Sequence, residues 1–377
     1  MAADPTSITL PADLLPSDGR FGSGPSKVRK EAADAVAARW QDYLGTSHRQ
    51  NTVKQVVGRL RGGLSDFFAL PDGYEVVLGN GGATAFWEVA AFGLVRDKSQ
   101  HLSFGEFGAK FVTAVKTAPW LKEPTVVTSE PGDAPAFIPE ADADVYAAPQ
   151  NETSTGVSIP VSRVDGVSDD ALMVWDATSG AGGLTVDASQ FDVYYFAPQK
   201  AFGGDGGLWL ALMSPKALAR ASEIAGSERY IPEFLNLQTA IDNSVKDQTY
   251  NTPALATIAM TVQQVEWFNT NGGMSFATGR SAASAEILYS WADAAPYATP
   301  FVVDPQKRSN VVATIDFAEG VDAATIAKVL RANGIVDTEP YRKLGRNQLR
   351  IAMFPGIEPS DVAALTRCID HIVGQIS

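Results

Sequence analysis

Seven short apolar runs between Glu75 and Met213 dominate the hydrophobic pattern of the chain. In order they are EVVLG, QHLSF, TVVTS, VYAAP, ALMVW, DVYYFA and GLWLALM. Apolar runs without strict alternation are typical of strands that are covered on both faces. Helical periodicity separates several of them, most clearly in ATAFWEVAAFGL after the first run. The pattern therefore predicts an α/β fold whose large domain is a mostly parallel, doubly wound sheet of seven strands.

The remainder of the chain follows a different order of elements. A long helical region starts at PALATIAMTVQQVEWF, where we expect Thr252 to be the N-cap and Pro253 the first helical residue. SNVVATIDF, DAATIAKVLRAN, QLRIAMF and SDVAALTRCIDHIV then have the patterns of strand, helix, strand and helix. We expect a large ligand-binding domain of residues 22–265 and a smaller α+β domain of residues 1–21 and 266–377.

Composition narrows the classes of function. Of the 377 residues, 45% are hydrophobic and 19% are charged, as in ordinary globular proteins. The formal net charge of −13 argues against nucleic acid or an anionic membrane as a partner, because the field of the protein would repel both. We find no secretion signal or membrane-spanning run and expect a cytoplasmic protein. One cysteine and three histidines, with no Cys pair, predict neither a disulfide nor a metal site.

Two charged residues follow apolar runs that we expect to be neighbouring strands. Asp176 ends ALMVWD, and Lys200 ends DVYYFAPQK, just before the glycine-rich GGDGG. Ligands of such sheets bind beyond the carboxyl ends of the strands, where both side chains would emerge. An enzyme that uses pyridoxal phosphate (PLP) needs a lysine for a Schiff base and an acid that keeps the pyridine nitrogen protonated. Either residue alone is more often a solvated strand end, but the pair favours PLP chemistry.

A glycine turn joins the first strand to the first helix in LGNGGATAFWEV. The amides of Ala83 and Thr84 at the helix start would cradle a phosphate, although a plain tight turn explains the glycines equally well. The turn is a poor dinucleotide fingerprint, because Thr84 replaces the third glycine and no acidic residue ends the next strand. Phe107, just past the second strand, would either stack on an aromatic cofactor or pack in the core.

Basic residues cluster in two segments of this acidic chain. His48 and Arg49 belong to SHR, and the later cluster spans Arg342 to Arg350. Arginine suits bidentate capture of carboxylate and phosphate, whereas solvation of the surface is the ordinary role of such clusters. Thr252, as the expected N-cap, offers a second helix start for a phosphate or an ordinary cap.

Eight segments together resemble the phosphoserine aminotransferases, a family of class V, fold type I PLP enzymes, in their actinobacterial form. The matching segments occur in the family's order: FGSGPSKV, GTSHRQ, GNGGATAFW, PQNETSTG, WDATSG, APQKAFGGDGGLW, YNTPALAT and EPYRKLGRNQLRIAMFP. The resemblance implies transamination between 3-phosphohydroxypyruvate with glutamate and O-phosphoserine with 2-oxoglutarate in serine biosynthesis. It leaves open whether 4-phosphohydroxythreonine, of vitamin B6 biosynthesis, is also a substrate.

The resemblance also implies roles at the cofactor. Lys200 would form the Schiff base and move the proton of the substrate, and Asp176 would pair with the pyridinium. Phe107 would stack on the ring, and Thr153 would bond its phenolic oxygen. The phosphate would be held by three residues: Ala83, Thr84 and Gln199.

A further implication is a homodimer with active sites at the interface, because Asn251 and Thr252 would reach the phosphate of the neighbouring subunit's cofactor. The phosphate and carboxylate groups of the substrates would be bound by His48, Arg49, Arg342 and Arg350. Many members of the family carry His at the position of Tyr341 and Trp at the position of Phe107. Lys343 or Arg346 would then supply the positive charge of the missing imidazole.

Other functions fit parts of the pattern. A cysteine desulfurase or related β-lyase of the same fold needs a mobile reactive cysteine, and Cys368 in a terminal amphipathic helix is expected to be semi-buried. An NAD(P)-dependent oxidoreductase would need the third glycine and the ribose-binding acid that are missing. A catalytically silent ligand-binding protein would have no use for Lys200 and Asp176.

Overall fold

The computed structural model describes residues 7–376 of the chain, and twelve strands occur in this part. They are β1 (Glu75–Gly81), β2 (Ser99–Ser103), β3 (Thr125–Thr128), β4 (Val145–Pro149), β5 (Asn151–Glu152), β6 (Val157–Ser158), β7 (Leu172–Asp176), β8 (Val193–Phe196), β9 (Gly207–Met213), β10 (Ala298–Pro300), β11 (Val312–Phe317) and β12 (Gln348–Ala352). One sheet has the order β1-β9-β8-β7-β4-β2-β3, and β9 runs in the opposite direction to the other six strands. The predicted α/β fold with a mostly parallel seven-stranded sheet is confirmed.

Helices cover both faces of this sheet. The described helices are α1 (Lys30–Ala38), α2 (Asn51–Phe67), α3 (Ala83–Gly93), α4 (Glu106–Lys116), α5 (Pro215–Ala225), α6 (Leu237–Ser244), α7 (Leu255–Thr270), α8 (Gly273–Ala294), α9 (Ala323–Ala332) and α10 (Pro359–Ile376). Tyr194 of β8 packs in the core with α2 and α7, whereas Tyr195 packs in the core with α3, α5 and α6. Consecutive strand residues are therefore both buried, which explains why the apolar runs do not alternate.

A second sheet forms the smaller part of the molecule. Its antiparallel order is β10-β11-β12, and its apolar core is shared with α8, α9 and α10. Leu10 and Phe21 from the start of the chain join this core. The division at residue 265 stays a prediction; the apolar core changes within α8, where Ala277 belongs to the core of the large sheet and Ala285 to that of the small one. None of the helices in residues 7–376 is long and apolar enough to cross a membrane.

The start of α7 differs from the expectation. The helix begins at Leu255 and has no side-chain cap. Thr252 precedes it: its carbonyl accepts a hydrogen bond from Asn80 Nδ2 at 3.3 Å, and its hydroxyl lies 3.3 Å from His48 Nδ1. The predictions of Thr252 as N-cap and Pro253 as first helical residue were therefore wrong, because tertiary contacts hold Thr252 outside the helix.

Candidate active site

A cavity of about 170 Å³ lies at the edge of the large sheet where β4 and β7 end. It brings together seven residues that the sequence analysis linked to a cofactor: Ala83, Thr84, Phe107, Thr153, Asp176, Gln199 and Lys200. Larger cavities of about 540 and 580 Å³ are lined by none of the predicted site residues, and one of about 280 Å³ is lined by Tyr341 and Lys343. The convergence of reactive side chains, rather than volume, therefore indicates the candidate site.

Lys200 is buried in the turn that follows β8. Its Nζ donates a hydrogen bond to Thr153 Oγ1 at 2.8 Å and lies 5.3 Å from the centroid of the Phe107 ring. Burial lowers the pKa of Lys200 to about 8, although the negative charge of Asp176 opposes this shift. More of the amine is unprotonated near neutral pH than in an exposed lysine, so Lys200 is suited to act as a nucleophile and as a base.

The carboxylate of Asp176 is held from both sides. Its Oδ2 accepts hydrogen bonds from Trp87 Nε1 and from the Tyr195 hydroxyl, each at 3.0 Å. Its Oδ1 accepts from the amide of Thr178 at 2.9 Å. Burial and the nearby charge of Asp176 raise the pKa of Tyr195 well above its usual value, so the hydroxyl keeps its proton and donates. Neutral donors thus fix an acidic group at the end of β7.

Trp87 and Tyr195 are functional candidates that the sequence analysis missed. Trp87 lies one helical turn after Thr84 in α3, and helical periodicity alone would have placed both on one side of the helix. Tyr195 is the register partner of Asp176 across β7 and β8. Strand register is not readable from two apolar runs, so nothing in the sequence pointed to this pair.

The start of α3 suits an anionic group, and the unpaired atoms beside it suit other polar atoms of a ligand, since the Thr178 hydroxyl can donate whereas the amide oxygens of Asn151 and Gln199 only accept. Ala83 and Thr84 occupy the first turn, where helix amides lack intrahelical partners and the dipole is positive. Asn151 Oδ1, Thr178 Oγ1 and Gln199 Oε1 are buried without a hydrogen-bond partner in residues 7–376. Together with the Phe107 ring, these groups fit a flat aromatic ligand that carries a phosphate.

His48, Arg49, Asn251 and Thr252 do not line this cavity but lie together near the end of β1. The hydroxyl of Thr252 lies 3.3 Å from His48 Nδ1, and the Asn251 carbonyl accepts from Asn80 Nδ2 at 3.1 Å. His48 is 8% exposed, and its Nε2 has no partner within the described chain. Burial, assisted by the charge of Arg49, lowers the pKa of His48. These side chains form a second polar group, which we call the outer group.

Arg350 of β12 connects the small sheet to the cavity. Its guanidinium donates to the Thr153 carbonyl at 3.4 Å and lies 5.4 Å from the centroid of the Tyr341 ring. Its Nε is buried and has no partner among residues 7–376. Arg342 is exposed in the turn that precedes β12. Arg350 therefore retains capacity to bind an anion beside Lys200, whereas Arg342 lies at the surface.

Comparison with known proteins shows which family this chain belongs to. The class-V aminotransferase family model matches residues 21–338. The phosphoserine aminotransferase of Nocardioides sp. is 58% identical over 371 residues, which cover 98% of this chain and 99% of that protein. The phosphoserine aminotransferase of Rhodococcus jostii is 59% identical over 367 residues, 97% of this chain and 98% of the relative. This chain belongs to the phosphoserine aminotransferase family.

Solved structures of the family agree with the fold. A phosphoserine aminotransferase from Cytophaga hutchinsonii superposes with a TM-score of 0.85 at 21% identity and covers 94% of this chain and 99% of its own. The enzyme from Bacillus circulans subsp. alkalophilus gives a TM-score of 0.82 at 19% identity, with 96% and 99% covered. The family predicted from the eight segments is confirmed, and these two structures support the fold.

Tyr341 stands where many members of the family carry His, so a nearby cation was expected to supply the positive charge. Lys343 and Arg346 were expected to replace a missing imidazole charge near Tyr341. Lys343 Nζ instead binds Glu106 Oε1 at 2.5 Å, and the Arg346 guanidinium binds Asp316 Oδ2 at 2.5 Å. Each cation is already paired with a carboxylate, so neither contributes an unpaired charge to the site in this conformation.

The cysteine required by the lyase alternative is not placed for nucleophilic chemistry. Cys368 is fully buried in α10, and its Sγ donates to the Leu14 carbonyl at 3.3 Å. Burial raises the pKa of its thiol to about 11. Little thiolate forms near neutral pH, so the family membership and the chemistry of Cys368 both disfavour a desulfurase.

Proposed function

We propose that this protein catalyses reversible transamination between 3-phosphohydroxypyruvate with L-glutamate and O-phospho-L-serine with 2-oxoglutarate, with PLP as cofactor. The observation that carries the proposal is the buried Lys200 amine, with its depressed pKa, in the same cavity as the fixed Asp176 carboxylate. Membership of the family supports the substrates, which are those of serine biosynthesis. Use of 4-phosphohydroxythreonine in vitamin B6 biosynthesis stays an open prediction.

When bound, PLP supplies an aldehyde and an electron-withdrawing ring that stabilises negative charge at the substrate α-carbon. Lys200 would hold the cofactor covalently and then, as a free amine, move the proton at that carbon. Asp176 would keep the ring nitrogen protonated. Phe107, which is half-buried beside the lysine, would pack against the ring face.

The polar lining of the cavity would fix the remaining groups of the cofactor. The amides at the start of α3, with Ala83, Thr84 and Gln199, would hold the phosphate because a helix N-terminus attracts anions. Thr153 would bind the phenolic oxygen; its hydroxyl already accepts from Lys200 and donates to Ser179 Oγ at 2.8 Å. These contacts would exclude rotation of the ring during proton transfer.

Each substrate carries two anionic groups, which explains why a strongly acidic protein needs local positive charge. We propose that four basic residues bind their phosphate and carboxylate groups: His48, Arg49, Arg342 and Arg350. Arg350 is linked to Lys200 through Thr153, whose carbonyl accepts from the Arg350 guanidinium and whose hydroxyl accepts from Lys200 Nζ. Both substrates would use the same site in alternate half-reactions. Binding of their anionic groups, at a distance from the α-carbon, would orient the α-carbon for proton transfer.

We propose further that the active unit is a homodimer. Asn251 and Thr252 lie outside the cavity of their own chain and would reach the phosphate site of the partner. Large exposed side chains occur in the same part of the sequence, with Tyr230 81%, Phe234 53% and Tyr250 47% exposed. Such exposed apolar area supports an interface with a second copy. A cytoplasmic location remains a prediction.

The first experiment is the visible absorbance spectrum of the purified protein. Bound PLP is expected to give a band near roughly 400 nm that bleaches with glutamate and returns with 3-phosphohydroxypyruvate. Lys200→Ala should abolish turnover, whereas Lys328→Ala, on the exposed side of α9, should leave it unchanged. A protein that stays colourless with added PLP, or full turnover by Lys200→Ala, would contradict the proposal.

A subunit-mixing experiment tests the shared site. Because Thr252 contacts His48 within one chain, the whole outer group would enter the partner's site. Arg49→Ala should raise the KM for the phosphorylated substrate strongly, and an unchanged KM would remove Arg49 from the site. At substrate concentrations far below the raised KM, mixing the inactive Lys200→Ala chain with the Arg49→Ala chain should restore about a quarter of the wild-type sites, because each hybrid dimer has one intact site. No recovery despite proven hybrids would place Arg49 in its own subunit's site.

A further inference from the structure

A carboxylate that the proposed reaction does not use lies behind the cavity. Glu152 in β5 is fully buried and directly precedes Thr153. Its Oε1 accepts from the Ser154 amide at 3.2 Å and from the Ser154 hydroxyl at 2.6 Å. Its Oε2 accepts from the amides of Phe107 at 3.0 Å and Gly108 at 3.1 Å. Both oxygens are therefore surrounded by donors, which matches an ionised carboxylate.

This arrangement is unusual for a helix cap. Asp322 caps α9 in the ordinary way, as an exposed neighbouring residue that accepts from the amides of Ala324 and Thr325. Glu152 caps α4 from a distant segment, and no cation forms an ion pair with it in the described chain. Burial raises the pKa of Glu152, and the Ser154 hydroxyl with the helix amides opposes that shift. The positive end of α4 supplies the compensating charge.

The contact joins two cofactor-facing segments at close range. A Cβ at Gly105 would lie 2.2 Å from Glu152 Cγ, so only glycine permits the carboxylate to approach the start of α4. The Glu152 carboxylate binds the amide of Phe107, and Thr153 is the next residue along the chain. Lys200 Nζ contacts the Thr153 hydroxyl at 2.8 Å and lies 5.3 Å from the Phe107 ring centroid. One buried carboxylate thus links both neighbours of the lysine amine.

We propose that Glu152 is a positioning residue that holds Phe107 and Thr153 in register around Lys200 and contributes negative charge to the environment of the amine. This inference rests on the proposed function, since it concerns the same site. The charged groups that act on Lys200 are Asp176, Arg350 and Glu152. Asp176 and Glu152 favour the protonated amine and Arg350 opposes it, so loss of the Glu152 charge should make Lys200 easier to deprotonate.

The test is Glu152→Gln in the full-length protein, an exchange that keeps the shape but turns one acceptor into a donor. Hydrogen exchange at the amides of Phe107 and Gly108 should accelerate by roughly tenfold or more, because a hydrogen bond to a charged group is lost. In protein freed of PLP, the reaction of Lys200 with an amine-selective reagent should titrate at lower pH than in wild type. On reconstitution kcat should fall.

Asp322→Asn is the matched control. It should accelerate exchange at Ala324 and Thr325 but leave the titration of Lys200 and the exchange at Phe107 unchanged. Lower stability or faster exchange in a folded Glu152→Gln protein, without any change in the titration of Lys200 or in kcat, would show a purely structural role and overturn the proposal.

Ser154→Ala keeps the test decisive if Glu152→Gln does not fold. The Ser154 hydroxyl donates to Glu152 and accepts from the Glu106 amide at 3.1 Å, so its loss should accelerate exchange at residues 106–108 and lower kcat. Normal exchange and normal kcat in this variant would overturn the proposal. Absence of the PLP band in wild type would instead contradict the proposed function, while the exchange and the lysine titration would still report on Glu152.

Discussion

The Tyr195→Phe substitution isolates one hydrogen bond to the proposed cofactor acid. Tyr195 is fully buried, and its hydroxyl donates to Asp176 Oδ2 at 3.0 Å. Its ring stacks on Phe86 with a centroid distance of 4.3 Å and an interplanar angle of 28°. Phenylalanine keeps that stacking, so the measured loss belongs to the hydroxyl group.

The size of the effect follows from the charge and burial of the acceptor. A hydrogen bond to a charged group contributes about 1.5–3 kcal/mol to stability. Trp87 Nε1 still donates to the same oxygen at 3.0 Å, so we expect the lower end of that range, about 1.5–2 kcal/mol. The less firmly held Asp176 should also weaken PLP binding by roughly three- to tenfold, or about 0.7–1.4 kcal/mol.

The neighbouring tyrosine is a matched control. Tyr194 is also fully buried, but it packs on the opposite face of the sheet and its hydroxyl donates to the neutral Gln150 Oε1 at 2.6 Å. Tyr194→Phe should cost only about 1 kcal/mol of unfolding free energy and leave PLP affinity unchanged. Urea unfolding at one protein concentration and fluorescence titration with PLP measure the two quantities.

The result that refutes the reasoning is specific. If Tyr195→Phe lowers the unfolding free energy by less than about 0.5 kcal/mol and leaves PLP affinity unchanged, the bond to Asp176 is not important for either property. If Tyr194→Phe weakens PLP binding equally, the effect comes from general loosening of the sheet. Only a larger loss in Tyr195→Phe, together with weaker cofactor binding, supports the geometry.

Substitutions at Gly24, Gly62 and His101 are expected to change cofactor binding, stability or the pH dependence of stability. Gly24→Ala would place a Cβ 2.7 Å from Lys200 Cε at a positive φ of 146°, so it should displace the lysine and weaken the PLP absorbance band. Gly62→Ala in α2 has open space around the new methyl group and should instead raise urea-unfolding stability by about 0.5–1 kcal/mol with a normal band; equal bands in the two variants would contradict this. Burial lowers the pKa of His101 from 6.5 to about 3, so between these pH values the unfolded chain binds a proton that the folded chain does not, and stability falls as the pH falls. Between pH 7 and pH 5 wild type should lose about 2 kcal/mol more than His101→Leu in urea unfolding; parallel curves would refute the buried neutral imidazole.

The strands of the large sheet were predictable because burial on both faces produces a recognisable local pattern of apolar residues. Strands covered on both faces are apolar at consecutive positions, and all seven such runs form the sheet. The glycine turn and the helix from Ala83 were readable for the same reason, since glycine conformation and helical periodicity are local. Lys200 and Asp176 could be placed in one site because ligands of such sheets bind beyond the carboxyl ends of the strands.

The N-cap of α7 shows where local preference fails. Threonine followed by proline favours a helix start, yet contacts with His48 and Asn80 hold Thr252 outside the helix. Each of these contacts joins residues that are far apart in the chain. A tertiary contact of comparable energy overrides a capping preference of about 1 kcal/mol, so the boundary was decided outside the local sequence.

The sequence by itself determined the apolar strands, the helix start at Ala83 and the pair Lys200 and Asp176 at the strand ends, because each depends on residue type and local periodicity. The tertiary structure decided what surrounds them. Register across β7 and β8 places Tyr195 beside Asp176, and the approach of β5 to α4 buries Glu152 under the helix amides. Pairing and approach depend on the packing of distant segments, for which the local pattern of hydrophobic and polar residues carries no signal.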